Sequence, residues 1–172
     1  MVNIKKFVRE IPNWPKAGVN FKDITPLLQN KKAFQETINQ TARPFEKNPP
    51  DLVVGIDARG FLLAAPLAYR LHAGLAIVRK KGKLPHKTLS AKYALEYATD
   101  CLEMHADAIK KGQKVVIADD VLATGGTMAA TIELVEKLGG KIIGLVFLIT
   151  LDFLNGRKKL KKYKIKSLIS YK

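Results

Sequence analysis

Residues Val115 to Thr127 read Val-Val-Ile-Ala-Asp-Asp-Val-Leu-Ala-Thr-Gly-Gly-Thr. The apolar start has the length of one buried strand, Lys114 to Ala118. Two carboxylates follow, then a small glycine-containing turn. From Thr127 to Leu138, the residues Met128, Ile132, Val135 and Leu138 share one helical face, and Gly139-Gly140 stops the helix. A buried strand that turns directly into an amphipathic helix commits a chain to layered α/β packing.

The remaining sequence repeats that rhythm. Asp51 to Asp57 reads as a buried strand after the break at Pro49-Pro50. Gly60 to His72 reads as a helix, Leu75 to Arg79 as a strand, and Lys141 to Leu151 contains another. An earlier helix is predicted over Lys32 to Ala42, ahead of Pro44, and a short edge strand over Ile165 to Tyr171. Between Leu95 and Ile109 two patterns compete. Asp100 with Glu103 fits a capping box, whereas Leu102, Met104 and Ala106 alternate with their neighbours as in a strand. A hairpin arm is expected. The fold class is α/β, a mainly parallel twisted sheet flanked by helices, and 172 residues suit one domain.

Composition excludes several classes. No apolar run approaches the roughly 20 residues of a membrane span, and Met1 to Glu10 lacks a signal-peptide core. A cytoplasmic protein is expected. The single cysteine, Cys101, cannot form an internal disulfide, and His72, His86 and His105 are scattered without metal-ligand spacing. No GxSxG elbow occurs. The net charge of +15 is concentrated, since Arg157 to Lys172 holds eight basic residues and no acid. Such a tail suits an anionic partner or a solvated face. Without aromatic interleaving or a nucleic-acid motif, nucleic acid is not the expected partner.

The turn Leu122 to Thr127 carries the chemistry. Backbone N–H groups at a helix start are unsatisfied and lie at the positive end of the helix dipole, which makes an anion site. Gly125 and Gly126 admit a phosphate without Cβ clashes, and Thr124 and Thr127 add hydroxyl donors. A Walker A loop requires a lysine absent here, and the dinucleotide fingerprint requires spaced glycines. Asp119 and Asp120 would repel a phosphate, so they face something else: the two hydroxyls of a ribose, or a divalent cation. The constellation fits a ribose 5-phosphate.

At these residues the chain resembles the phosphoribosyltransferase family. Further segments resemble its adenine-using members in order and spacing: Asn13-Trp14-Pro15, Gly18 to Pro26, Ile56 to Phe61, Arg79 to Pro85, and Leu95-Glu96-Tyr97. The similarity runs from about Ile11 to Tyr171. It implies a type I phosphoribosyltransferase fold with a small N-terminal hood (residues 1–30) and a mobile lid hairpin (83–100). It implies transfer of phosphoribosyl from 5-phosphoribosyl 1-pyrophosphate to adenine, giving AMP and pyrophosphate, with Mg2+ held through the substrate, in a homodimer used for purine salvage.

Carried over by position, Ala123, Thr124, Gly125, Gly126 and Thr127 would hold the 5-phosphate, and Asp119 and Asp120 the ribose. Asp57, Ala58, Arg59 and Gly60 would form the pyrophosphate turn, with Arg79, Lys80 and Lys83 adding cations. Phe21 would stack on adenine, and main-chain carbonyls near Asn20 to Lys22 would accept from its 6-amino group. Glu96 would handle the purine proton on a lid also carrying Tyr97, which keeps water from the ribose cation. Two alternatives remain: an enzyme using hypoxanthine, guanine or xanthine, and a non-catalytic regulator that binds nucleic acid through the basic tail.

Overall fold

The computed structural model describes residues 2–94 and 99–172. The chain divides into two compact units, Met1–Gln40 and Thr41–Lys172. In the first, strands β1 (Arg9–Pro12) and β2 (Asn20–Asp23) pair antiparallel, with Ile11 opposite Phe21. The short helix α1 (Thr25–Gln29) starts where Asp23 accepts from the Thr25 N–H and hydroxyl, both at 2.9 Å. Helix α2 (Lys31–Ala42) starts where the Asn30 side chain accepts from the Ala33 N–H at 3.0 Å. Short polar side chains satisfy the first orphan donors in both cases.

The second unit is built on a seven-stranded sheet. Along the chain come β3 (Leu52–Ile56), α3 (Gly60–Arg70), β4 (Gly74–Lys80), β5 (Thr88–Ala94), β6 (Thr99–His105), β7 (Lys114–Leu122), α4 (Gly126–Lys137), β8 (Lys141–Leu151), α5 (Gly156–Lys159) and β9 (Ile165–Tyr171). The spatial order is β5-β6-β4-β3-β7-β8-β9. The five strands from β4 to β9 in that order are mutually parallel, whereas β6 runs antiparallel to both β4 and β5. The core lies between sheet and helices, where Val54, Ile56, Ile117, Phe147, Met128 and Leu134 are buried. Continuous apolar runs are what parallel strands covered on both faces require.

Two sequence expectations are sharpened. The strand predicted to end at Ala118 continues to Leu122, because Asp119, Val121 and Leu122 find register partners on β8 at Phe147, Ile149 and Thr150. The acids therefore sit within the strand rather than beyond it. The hairpin arm is realised as β6, with Leu102 and Met104 almost fully buried. A helix there would have left β5 unpaired.

Chain order reverses between β3 and β7. From β3 the chain moves outward to β4, then returns to place β7 on the other side. Such a switch point opens a crevice at the carboxyl ends of the strands.

Candidate active site

The predicted phosphate turn occupies that crevice. Gly125 is the N-cap of α4 with φ of 80°, in the left-handed region that glycine enters without penalty. Ala123 to Thr127 rims a cup of about 60 Å³ whose floor is completed by Asp119, Met128 and Phe147. No side chain caps the start of α4. Gly126, Thr127 and Met128, the first residues of this 12-residue helix, line the cup, so the positive end of the helix dipole lies there.

Asp119 and Asp120 stay within hydrogen-bonding reach of one another at the strand end. The Asp120 side chain is buried and meets the Arg59 guanidinium at 2.8 Å. Arg59 stands at the start of α3, on the turn after β3, so this ion pair joins that turn to the end of β7 across the switch point. Gly60 permits the approach, since a Cβ there would lie 2.8 Å from Asp119 Oδ1. Asp119 Oδ1 accepts from the Asp120 N–H at 2.9 Å. Burial, then the charge of Asp120, raise the Asp119 carboxyl well above the usual range. Burial also raises Asp120, but the Arg59 guanidinium pulls it back. Arg59 thus favours the ionised form of Asp120.

The predicted pyrophosphate residues gather beside it. Asp57 follows β3, its N–H bonded to the Val78 carbonyl at 2.9 Å, and the Asp57–Ala58 peptide is cis. The Asp57 carboxylate meets Arg79 at 3.2 Å and Lys83 at 3.6 Å. Arg79 also donates to the Lys83 carbonyl at 3.2 Å. Lys80 turns elsewhere, to Asp100 at 3.4 Å. Of the four predicted cations, two converge on Asp57, one on Asp120, and Lys80 stands apart.

In the N-terminal unit, Asn20 and Lys22 both donate to the Glu10 carboxylate at 2.7 Å. Phe21, on the opposite face of β2, packs edge-on to Trp14 with ring centroids 4.4 Å apart. The two polar side chains are thus engaged with Glu10 while the aromatic one faces the other way. Glu96 and Tyr97 lie outside the described residues.

Among the described residues no three His, Cys, Asp or Glu side chains converge on one metal position. Two adjacent carboxylates, one tied to an arginine, fit Mg2+ that keeps its waters and substrate oxygens rather than an all-protein cage. A far larger cavity, about 790 Å³, opens at the opposite end of the sheet and is lined by Glu46, Asp51, Arg70 and Lys114 among others. Its charged groups are already paired: Arg70 with Glu46 at 2.8 Å, and Lys114 Nζ with Asn48 at 2.8 Å. Ligands of open α/β sheets bind at the other end.

Sequence reasoning missed several supporting residues. The buried Glu103 carboxylate accepts from the Gly82 N–H at 2.9 Å and so shapes the basic turn. Tyr93 and Asp100 are a cross-strand pair joined at 3.0 Å. Burial and then Asp100 push the Tyr93 hydroxyl up to about 12. Thr127 of the phosphate loop also hydrogen-bonds to Tyr93, with the opposite effect on its proton affinity. Cross-strand register was the one signal that could have paired Tyr93 with Asp100.

The phosphoribosyl transferase domain profile matches residues 20–171. An adenine phosphoribosyltransferase of Acetivibrio thermocellus is 53% identical over 99% of this chain and 100% of its own. The crystal structure of adenine phosphoribosyltransferase from Thermoanaerobacter pseudethanolicus superposes with a TM-score of 0.95 at 55% identity, covering 98% of both chains. That of Saccharomyces cerevisiae, solved with adenine and an imino-altritol bisphosphate, gives 0.91 at 38% identity over 95% of both chains. No described helix is long and apolar enough to cross a membrane.

Proposed function

This chain belongs to the phosphoribosyltransferase family, in its adenine phosphoribosyltransferase branch, and we propose that the crevice between β3 and β7 is where it joins adenine to phosphoribosyl. The enzyme is a pentosyltransferase of purine salvage. Adenine and 5-phosphoribosyl 1-pyrophosphate give AMP and pyrophosphate. The C1–O bond to pyrophosphate breaks, the C1–N9 bond forms, and the proton on the purine ring leaves.

The observation that carries the site assignment is the Arg59–Asp120 contact at 2.8 Å. It sets a cation for the leaving anion beside acceptors for the ribose diol, three residues before the phosphate loop begins. In this proposal the N–H groups of Ala123 to Thr127 bind the 5-phosphate, and Asp119 and Asp120 accept from the ribose hydroxyls. Arg59, Arg79, Lys80 and Lys83 meet the pyrophosphate, the last three leaving Asp57 and Asp100 to do so. Mg2+, when bound, supplies further charge to the pyrophosphate. Phe21 stacks on adenine, and carbonyls of Asn20 to Lys22 accept from its 6-amino group. An oxopurine would leave these carbonyls unpaired at about 1–3 kcal/mol each. Glu96 takes the purine proton beneath a lid that includes Tyr97. The proposal includes a cytoplasmic homodimer, with residues 1–30 as a hood over the base.

Purified protein given phosphoribosyl pyrophosphate, Mg2+ and labelled adenine, hypoxanthine, guanine or xanthine tests this. AMP is the expected product. A nucleotide formed only from an oxopurine would reassign the base. No nucleotide, together with DNA binding lost on replacing the exposed Lys158, Lys159, Lys161 and Lys162 by alanine, would favour the regulator.

A further inference from the structure

The phosphate loop has a floor made of another piece of backbone. Gly156, at the start of α5, is buried against it. A Cβ on Gly125 would lie 2.9 Å from the Gly156 carbonyl oxygen and 3.4 Å from its Cα. In the other direction, a Cβ on Gly156 would drive into the Ala123 carbonyl oxygen and come within 3.1 Å of the Gly125 nitrogen. Two side-chain-free residues thus meet back to back, one in the loop and one 31 positions later in the sequence.

The floor is itself pinned. Asn155, just before Gly156, takes φ of 56°, and its N–H bonds to the Asp152 carbonyl at 3.0 Å. The Arg157 guanidinium spans Asp152 Oδ1 at 3.2 Å and the Thr150 hydroxyl at 3.3 Å. The other Asp152 oxygen accepts from the Ser170 hydroxyl of β9. Leu160 closes the segment, almost fully buried in the core. Gly156 is therefore held between the ends of β8 and β9 and cannot drift with the loop.

Resting on the proposed function, we infer that Gly156, held by the Asp152–Arg157 clamp, is a positioning residue that sets where the N–H groups of Ala123 to Thr127 stand for the 5-phosphate. A loop that binds through main-chain donors has no rotamers with which to re-aim them. Its geometry must come from what the backbone rests on, and a misplacement of about 1 Å can cost roughly 100-fold. Gly156 touches no substrate in this scheme. It acts through the loop alone, at the sugar-phosphate end and not at the pyrophosphate end.

Calorimetric titration of the full chain with ribose 5-phosphate and, separately, with pyrophosphate and Mg2+ separates these ends. Gly156→Ala is expected to weaken ribose 5-phosphate at least tenfold while pyrophosphate stays within twofold. Arg157→Lys keeps the charge but loses the fork, and a three- to tenfold weakening of ribose 5-phosphate alone is expected. Where Gly156→Ala does not fold, Arg157→Lys decides. Wild-type ribose 5-phosphate affinity in the folded variants, or equal losses for both ligands, overturns the inference. Wild-type protein that binds neither ligand overturns the functional proposal instead.

Discussion

At the carboxyl end of β7 the cup under the phosphate loop measures about 60 Å³, whereas the cavity at the amino end of the same strand measures about 790 Å³. The larger space is lined by groups that have satisfied one another: Glu46 with Arg70, Lys114 with Asn48, and Asp51 with the Lys114 N–H at 2.7 Å. The smaller one is walled by a helix start with no side-chain cap and by Asp119, whose neighbour Asp120 is paired with Arg59. Volume does not mark a binding site here. The proposed site is marked instead by a helix start with no side-chain cap and by Asp120 held beside a cation that it can exchange for a ligand.

Substitutions at the two ends should differ widely in effect. The largest effect is expected from Glu96→Ala, which should lower kcat by about 10²- to 10⁴-fold with little change in phosphoribosyl pyrophosphate affinity. Stopped-flow binding beside steady-state rates checks this, and unchanged turnover would remove Glu96 from proton handling. Asp120→Asn should follow, with losses of roughly 10- to 150-fold in both turnover and binding. It removes a charge-assisted acceptor worth about 1.5–3 kcal/mol and frees Arg59.

The pH response of Asp119 comes next. Its raised carboxyl keeps a proton in the folded protein at pH values where the unfolded chain has lost it. Stability from this group is full below the ordinary value of about 3.9 and is lost as pH rises through the higher folded value. Ribose binding needs the carboxylate, so affinity for phosphoribosyl pyrophosphate should rise across that same window. Thermal melts and titrations from pH 4 upward should therefore move in opposite directions, and Asp119→Asn should flatten both. Parallel slopes would refute this assignment.

The smallest effect is expected at the other end. Arg70→Ala removes an exposed ion pair worth no more than about 1 kcal/mol. Turnover should stay within twofold. A large loss of activity would show that the big cavity matters to the chemistry, and would break the contrast between the two ends.

Legibility in the sequence followed distance along the chain. The strand–turn–helix from Lys114 to Lys137 was readable because its apolar period, its glycines and its acids are local. The partners of those acids were not. Arg59 and Asp120 stand 61 positions apart, and Gly125 and Gly156 stand 31 apart. Glu103 looked like one half of a capping box, yet it bonds to Gly82, 21 residues away. The length of β7 also escaped the sequence, because pairing with β8, not hydropathy, carries it past two charges.

The amino-acid order alone determined that an uncapped helix start would follow a buried strand, that two acids would precede it, and that no lysine would enter the loop. Those are properties of adjacent residues and of backbone geometry. Tertiary structure decided which cation each acid holds, where the chain reverses around β3, and what the phosphate loop rests on. Each depends on segments brought together by the sheet, and burying the sheet's apolar faces, not local preference, supplies the free energy that assembles them.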